Sequence, residues 1–126
     1  MKMLLFVAAG GAVGASGRYL AGMLAIHLSG GYWPFGTFTV NAVGSCVLGV
    51  LVAAMTFSWT PSPEVRAFLV VGLLGGFTTF SAFSLDVVLM IERGREGAAA
   101  LYVGTTLAAA IGGLFAGMRL TRMVLA

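Results

Sequence analysis

Charged side chains are scarce in this sequence, and their scarcity excludes an ordinary soluble domain. They make up 9% of the 126 residues, whereas 60% of the residues are hydrophobic. A soluble globular domain carries about 25% charged residues. The formal net charge of +3 is spread along the chain without a cluster of lysine or arginine, so we expect no binding of nucleic acid.

Residues that carry out catalytic chemistry are also few. The chain has one cysteine, Cys46, and one histidine, His27. A single cysteine cannot form an intrachain disulfide, and the two residues provide neither a metal cluster nor a histidine pair for haem. The sequence also has no recognisable pair of nucleophile and base. It therefore predicts ion conduction or binding rather than an enzyme.

Long apolar runs are what the sequence has instead. Runs of about 20 apolar residues occur at four places, residues 3–26, 36–57, 67–91 and 98–118. The connections between them are short, so we predict a single all-α domain, residues 1–126, with four membrane spans. The start, MKMLLF, resembles a signal peptide, but the first run is too long for a typical signal core and we interpret it as a retained span.

Positive charges are nearly balanced between the two ends of the spans. Threading four spans places Lys2, Arg66, Arg119 and Arg122 on one face. The other face receives Arg18, Arg93 and Arg95. An excess of lysine and arginine on one face normally orients a membrane protein, and here the excess is a single charge. Insertion in both orientations, and an antiparallel dimer with a two-fold axis, are therefore open to this chain.

The third run contains a segment that disfavours a continuous helix. Residues 75–83 read GGFTTFSAF, and paired glycines and threonines are poor helix formers. An interruption in a membrane helix frees carbonyl groups, which is tolerated where they line a cavity or bind an ion. Phe80 and Phe83 lie three residues apart, and their electropositive ring edges could face a small anion. A kink that is simply packed by aromatic rings is the alternative.

Polar residues in the second and fourth runs are spaced for one helical face each. Thr37, Asn41 and Ser45 recur every four residues, and Tyr102 shares a face with Thr106. Polar groups at membrane depth usually pack inward or line a pathway. From spacing alone, Asn41 is either a ligand of a permeating ion or a hydrogen-bonding contact between helices.

Three segments together resemble the small four-span fluoride channels called Fluc or CrcB. They are GGAVGASGRY at residues 10–19, GTFTVNAVG at 36–44 and GGFTTFSAF at 75–83, and they match in order and spacing. The resemblance extends over essentially the whole chain. It implies an antiparallel, dual-topology homodimer with a broken third helix in a bacterial cytoplasmic membrane. It also implies two pores per dimer that passively export fluoride, exclude chloride and so reduce fluoride toxicity.

The resemblance also assigns roles to individual residues. Backbone carbonyls of Gly75 and Thr78 from both subunits would bind a structural sodium ion on the two-fold axis. The ion pathway would contain Phe80, Phe83, Asn41, Ser81, Thr37, Thr39, Thr106 and Arg18. Arg18 would attract anions at a vestibule, unless it is only an interfacial arginine. This chain departs from the family pattern at Ala82 and Ala110, where hydroxyl side chains are expected.

Two other functions are compatible with a short four-span chain. The first is a small proton-coupled exporter of drugs or guanidinium, which would need a carboxylate in the first span. That span contains no acid, and Asp86 is the only acid in any span. The second is a structural membrane subunit that packs against partner proteins and conducts no ions.

Overall fold

The computed structural model describes all residues from Met1 to Ala126 and is entirely helical. Four helical segments are long and apolar enough to cross a membrane: Lys2–Ser29, Phe35–Phe57, Pro63–Glu92 and Glu96–Leu125. The prediction of an all-α protein with four membrane spans is therefore confirmed. The helices extend beyond the predicted apolar runs, and the last one continues through polar residues such as Arg119 and Arg122.

Turn residues explain where the long helices begin and end. Helix α1 (Lys2–Ser29) is closed by Gly30, which has φ 75° and donates its N–H to the Ile26 carbonyl. The left-handed conformation there favours glycine, which has no Cβ atom. Helix α2 (Phe35–Phe57) begins directly after Pro34. The result is two antiparallel helices joined by a short turn.

The third span is assembled from several pieces. Helix α3 (Pro63–Arg66) leads into a π-helical segment (Ala67–Leu74) and the short helix α4 (Gly75–Phe77). Thr78 and Thr79 then have extended backbones, with ψ angles of 159° and 123°. Helix α5 (Phe80–Glu92) follows, and the Thr79 side chain caps it by accepting a hydrogen bond from the Ala82 N–H at 3.1 Å. The helix therefore ends at Phe77 and a new helix begins at Phe80, both within the GGFTTFSAF segment.

Helices pack in pairs through glycine contacts. Helix α6 (Glu96–Leu125) packs along α2, and α1 packs along the π-helical segment. A Cβ atom added to Gly117 would collide with the Cys46 backbone, and one added to Gly49 with the Leu114 backbone. Small residues allow membrane helices to approach this closely. Only 15 of the 126 residues are buried, so most apolar side chains face outward, as a lipid-embedded chain requires.

The contact between α1 and the third span gives a first stability prediction. A methyl group added at Gly72 would lie 2.6 Å from the Val7 carbonyl oxygen and 2.9 Å from the Gly10 Cα atom. We expect Gly72→Ala to lower the free energy of unfolding by about 1–3 kcal/mol, because neither backbone can move without separating the helices. Thermal unfolding in detergent would measure it.

Gly97→Ala is the matched control for this substitution. Gly97 is also helical, but nothing lies within 4 Å of an added Cβ atom. Alanine is a better helix former than glycine by about 0.5–1 kcal/mol, so this variant should be slightly more stable than the parent. Equal stability of the two variants would contradict the close packing at Gly72.

Candidate ion pathway at the interruption of the third span

Asn41 holds the extended segment of the third span against α2. Its side-chain Nδ2 donates to the Thr79 carbonyl at 2.9 Å, and its Oδ1 accepts from the Thr79 N–H at 2.7 Å. Both backbone groups of Thr79 are thereby satisfied, although no helix provides partners for them. One hydrogen on the Asn41 amide is left for another acceptor. This contact ties α2 to the extended segment of the third span.

The carbonyl groups before the interruption are satisfied unevenly. The Leu74 carbonyl accepts from both the Thr78 N–H at 3.0 Å and the Thr78 hydroxyl at 2.8 Å. The Gly75 carbonyl loses its usual helical partner, because the Thr79 N–H donates to Asn41 instead. Thr78 lies outside any helix, and its carbonyl receives no hydrogen bond from the chain. Gly75 is exposed and Thr78 is half-buried. Two carbonyl oxygens within the third span are therefore available to a ligand from outside this copy of the chain.

Arg18 is half-buried and lies beside the interruption. Its Nε donates to the Gly76 carbonyl at 3.0 Å. A cation there also complements the negative end of the short helix α4. Arg18 lines a cavity of about 280 Å³ together with Thr37, Thr79 and Ala82.

Two substitutions separate the charge of Arg18 from its hydrogen bond. Glutamine places an amide nitrogen where arginine has Nε, whereas lysine places a methylene there and keeps the charge. We expect Arg18→Lys to lower the free energy of unfolding by about 1–3 kcal/mol, because the Gly76 carbonyl loses its donor. Arg18→Gln should lower the free energy of unfolding by less, because its amide nitrogen can still donate to the Gly76 carbonyl. Denaturation in detergent measures the stability of both variants. Full fluoride flux in Arg18→Lys together with no flux in Arg18→Gln would instead identify Arg18 as an attractor of anions.

Phe80 and Phe83 begin α5 and lie in very different environments. Their ring centroids are 5.6 Å apart and the planes are tilted by 53°. Phe83 is 6% exposed, whereas Phe80 is 74% exposed. The Phe83 ring also packs 5.2 Å from the Tyr102 ring. One member of the predicted pair is thus fixed in the core, and the other projects from this copy of the chain.

A cavity of about 210 Å³ joins the interruption to α6. It is lined by nine residues: Asn41, Ser45, Thr78, Thr79, Phe80, Phe83, Thr106, Leu107 and Ala110. The Thr106 hydroxyl is buried and has no hydrogen-bond partner in the chain. Buried hydroxyls are normally paired, so an unpaired one beside a cavity is a free donor for a guest. Ala110 lines the cavity without a polar group.

The remaining predicted pathway residues are not all in this cavity. The Ser81 hydroxyl lies 3.3 Å from the Thr79 hydroxyl on an exposed surface. Thr37 lines the Arg18 cavity. Thr39 is exposed on α2 and lies outside both cavities. Thr79, the residue that Asn41 holds, lines both cavities.

One polar contact was not predicted from the sequence. The Tyr102 hydroxyl donates to Asp86 Oδ2 at 2.9 Å, across α5 and α6. Tyr102 is fully buried, and the Trp33 ring meets it edge-on at 5.8 Å. An acid within a membrane span needs a partner, and this rule applied to Asp86 would have pointed to a hydroxyl on a facing helix.

Comparison with known proteins identifies relatives over the whole chain. A family model described as CrcB-like protein, Camphor Resistance (CrcB), matches residues 5–118. The chain is 55% identical over 126 residues to a protein of Rhodospirillum centenum named Fluoride-specific ion channel FluC, with both chains covered in full. Proteins of the same name from Caulobacter vibrioides and Agrobacterium fabrum are 48% and 47% identical. The match to the Caulobacter vibrioides protein covers 100% of both chains. The match to the Agrobacterium fabrum protein covers 97% of this chain and 98% of the relative.

These relatives agree with the resemblance seen in the three sequence segments, and their organisms are bacteria. The four apolar helices agree with a multi-pass membrane protein. The chain therefore belongs to the CrcB-like family of bacterial membrane proteins.

Proposed function

We propose that this protein is a fluoride-selective channel that passively exports fluoride from the bacterial cytoplasm. The observation that carries the proposal is the cavity at the interruption, where two phenylalanine rings meet the unpaired Thr106 hydroxyl and the Asn41 amide. The relatives that match the whole chain are named fluoride-specific ion channels. They are channels by name and not enzymes, in agreement with the prediction of conduction rather than catalysis.

The groups around the cavity suit a small, strongly hydrated anion. Fluoride must exchange its water for hydrogen-bond donors or electropositive edges before it can pass a narrow pore. The Thr106 hydroxyl and the remaining Asn41 amide hydrogen supply donors, and the phenylalanine rings supply positive edges. No lysine or arginine lines this cavity, so no full positive charge would hold the ion too tightly. We propose Phe80, Phe83, Asn41 and Thr106 as the core of the pathway.

The exposed face around the interruption favours a second copy of the chain as the partner. Phe80 and Gly75 are both exposed in one copy, although the interruption lies midway along the third span. Free backbone carbonyls are not left in hydrocarbon, so this face needs a cover. An antiparallel homodimer with a broken third helix on its two-fold axis would provide it and would create two equivalent pores.

A sodium ion on that axis fits the groups that are present. Carbonyl oxygens are suitable ligands for hard cations. The unpaired carbonyls of Gly75 and Thr78 from each subunit would hold the ion. The bound cation would offset the repulsion among four converging carbonyl dipoles and would link the interrupted helices of the two subunits. The phenylalanines and Asn41 would contact the anion.

The membrane potential supplies the direction of transport. An inside-negative potential favours anion exit by about 2.3 kcal/mol per charge per 100 mV. A passive channel in the cytoplasmic membrane therefore discharges fluoride that entered as the neutral acid and ionised inside. Asp86 does not need to carry a proton in this scheme.

Ion efflux from liposomes tests the proposal against the two alternatives. Purified protein is reconstituted, and fluoride and chloride release are followed with ion-selective electrodes after the membrane potential is dissipated. We expect fast fluoride release, no chloride release and no requirement for a pH gradient. Release that needs a pH gradient would favour a proton-coupled exporter, and no release from intact dimers would favour a structural subunit.

A further inference from the structure

Ser45 lines the cavity at the interruption, although neither the pathway predicted from the sequence nor the core proposed above includes it. It is half-buried and lies on α2, one helical turn beyond Asn41. Side chains four residues apart project from the same face of a helix. Ser45 therefore borders the same space as Asn41 and Thr106, which also line this cavity.

The hydroxyl groups that line this cavity are of two kinds. The Thr78 hydroxyl donates to a backbone carbonyl at 2.8 Å, and the Thr79 hydroxyl accepts from a backbone N–H at 3.1 Å. Both are thereby engaged within the third span. The hydroxyls of Ser45 and Thr106 make no hydrogen bond with the chain. The cavity therefore has one free hydroxyl on α2 and one on α6.

Ser45 differs in this respect from other hydroxyl residues in the helices of this protein. A helical serine or threonine can donate to the carbonyl one turn earlier. Ser29, Thr56 and Ser84 do so at 2.6, 2.8 and 2.9 Å. The Ser45 hydroxyl does not donate to the equivalent acceptor, the Asn41 carbonyl. Its proton is therefore available to a guest in the cavity.

The packing of α6 against α2 sets the relative levels of the two helices. A Cβ atom added to Gly113 would lie 3.4 Å from the Ala42 carbonyl oxygen and 3.7 Å from the Cys46 Cβ atom. One turn further along, a Cβ atom added to Gly117 would meet the backbone of Cys46 and Val50. The two helices therefore run in the same direction, and Gly113 is level with the turn between Ala42 and Cys46.

This register gives the order of the free donors along the cavity. Ala110 precedes Gly113 by less than one turn and is therefore level with Asn41. Thr106 lies one turn before that level, and Ser45 lies one turn after it, at about 5–6 Å per turn. The donors thus pass from α6 to α2. The missing hydroxyl at Ala110 leaves no gap, because Asn41 provides an amide at the same level.

We propose that Ser45 is a further ligand of the permeating fluoride, next to Asn41 along the cavity and opposite in direction to Thr106. The inference rests on the proposed channel function and adds a residue to its pathway. Fluoride can give up water only where hydrogen-bond donors replace it. Donors spaced by about one turn pass the ion from one to the next without an apolar gap. The Ser45 hydroxyl carries no charge, so it can donate to the ion and then release it.

Ser45→Ala tests this role through two measurements on the same protein. We expect the initial rate of fluoride efflux from liposomes to fall by at least about tenfold, as for one hydrogen bond to a charged group lost at the barrier. The free energy of unfolding in detergent should not fall, because the Ser45 hydroxyl has no partner in the chain to lose. A lower free energy of unfolding would identify a structural hydroxyl and overturn the proposal.

Ser45→Thr and Ser45→Val separate the hydroxyl from the size of the side chain. Threonine and valine have nearly the same shape, and only threonine has a hydroxyl. We expect Ser45→Thr to conduct fluoride at least about tenfold faster than Ser45→Val. Equal rates in these two variants would show that the volume at this position matters and not the donor, and would overturn the proposal.

Ser29→Ala is the matched control for Ser45→Ala. Ser29 is also a half-buried helical serine, but its hydroxyl donates to the Ala25 carbonyl and it does not line the cavity. This variant should conduct fluoride at the rate of the parent. Equal rates for Ser29→Ala and Ser45→Ala would remove Ser45 from the pathway. A parent protein that conducts no fluoride would overturn the channel function itself, so the two failures are distinguishable.

Discussion

Phe80→Ile is expected to lower fluoride efflux by at least about tenfold while the protein still folds and dimerises. Isoleucine keeps apolar bulk at a position that is 74% exposed in one copy, so little core packing is lost. It removes the electropositive ring edge beside the cavity. A loss of about 1.4 kcal/mol in stabilisation of the ion at the barrier corresponds to a tenfold lower rate. Fluoride-electrode recordings of reconstituted protein would measure it.

Phe115→Ile is the control for this prediction. Phe115 is also an exposed aromatic residue, at 64%, and it lies on α6 outside the cavity. The same chemical change there should leave the flux unaltered. Unchanged flux in Phe80→Ile, or equal losses in both variants, would remove the phenylalanine pair from the pathway and reduce it to packing around a kink.

Asn41→Leu is expected to abolish flux and to destabilise the protein together. Leucine matches the shape of asparagine but leaves both the N–H and the carbonyl of Thr79 without partners. Each unpaired buried group costs about 1–3 kcal/mol. The free energy of unfolding should therefore fall by about 2–6 kcal/mol, and the extended segment that positions Phe80 should lose its anchor. Unfolding in detergent and efflux from liposomes measure the two effects.

Val43→Ala provides a reference on the same helix, because Val43 is 48% exposed and makes no polar contact. It should change neither stability nor flux appreciably. If Asn41→Leu lost flux with unaltered stability, Asn41 would act only as a ligand of the ion, and the proposed anchoring of Thr79 would be wrong.

The sequence allowed the spans to be predicted because their signal is local. Runs of apolar residues specify membrane helices with little help from tertiary contacts, and the paired glycines and threonines mark where helical hydrogen bonding stops. The functional pairings depend on contacts between distant segments. Asn41 and Thr79 are 38 residues apart, and Arg18 and Gly76 are 58 apart. The periodicity of residues within one helix does not indicate which backbone group of a distant segment a given side chain will contact.

The same limit explains why Thr39 and Arg18 lie where they do. Thr39 has the right chemistry for a pathway, but the face of α2 on which it lies is set by how α2 packs against α6, and it is exposed. Threading of the four spans predicts that Arg18 lies at a membrane face. In the structure its Nε donates to the Gly76 carbonyl, a partner on a distant segment that the sequence alone does not indicate.

Electrical recording from the protein in a planar bilayer tests the channel account most directly. With fluoride on one side and chloride on the other at equal concentration, the reversal potential reports which anion crosses. The account predicts current that reverses far from zero in the sense of fluoride permeation, persists without a pH gradient and is lost in Phe80→Ile. A reversal potential near zero, which means equal passage of chloride, or an absence of any fluoride current, would contradict it.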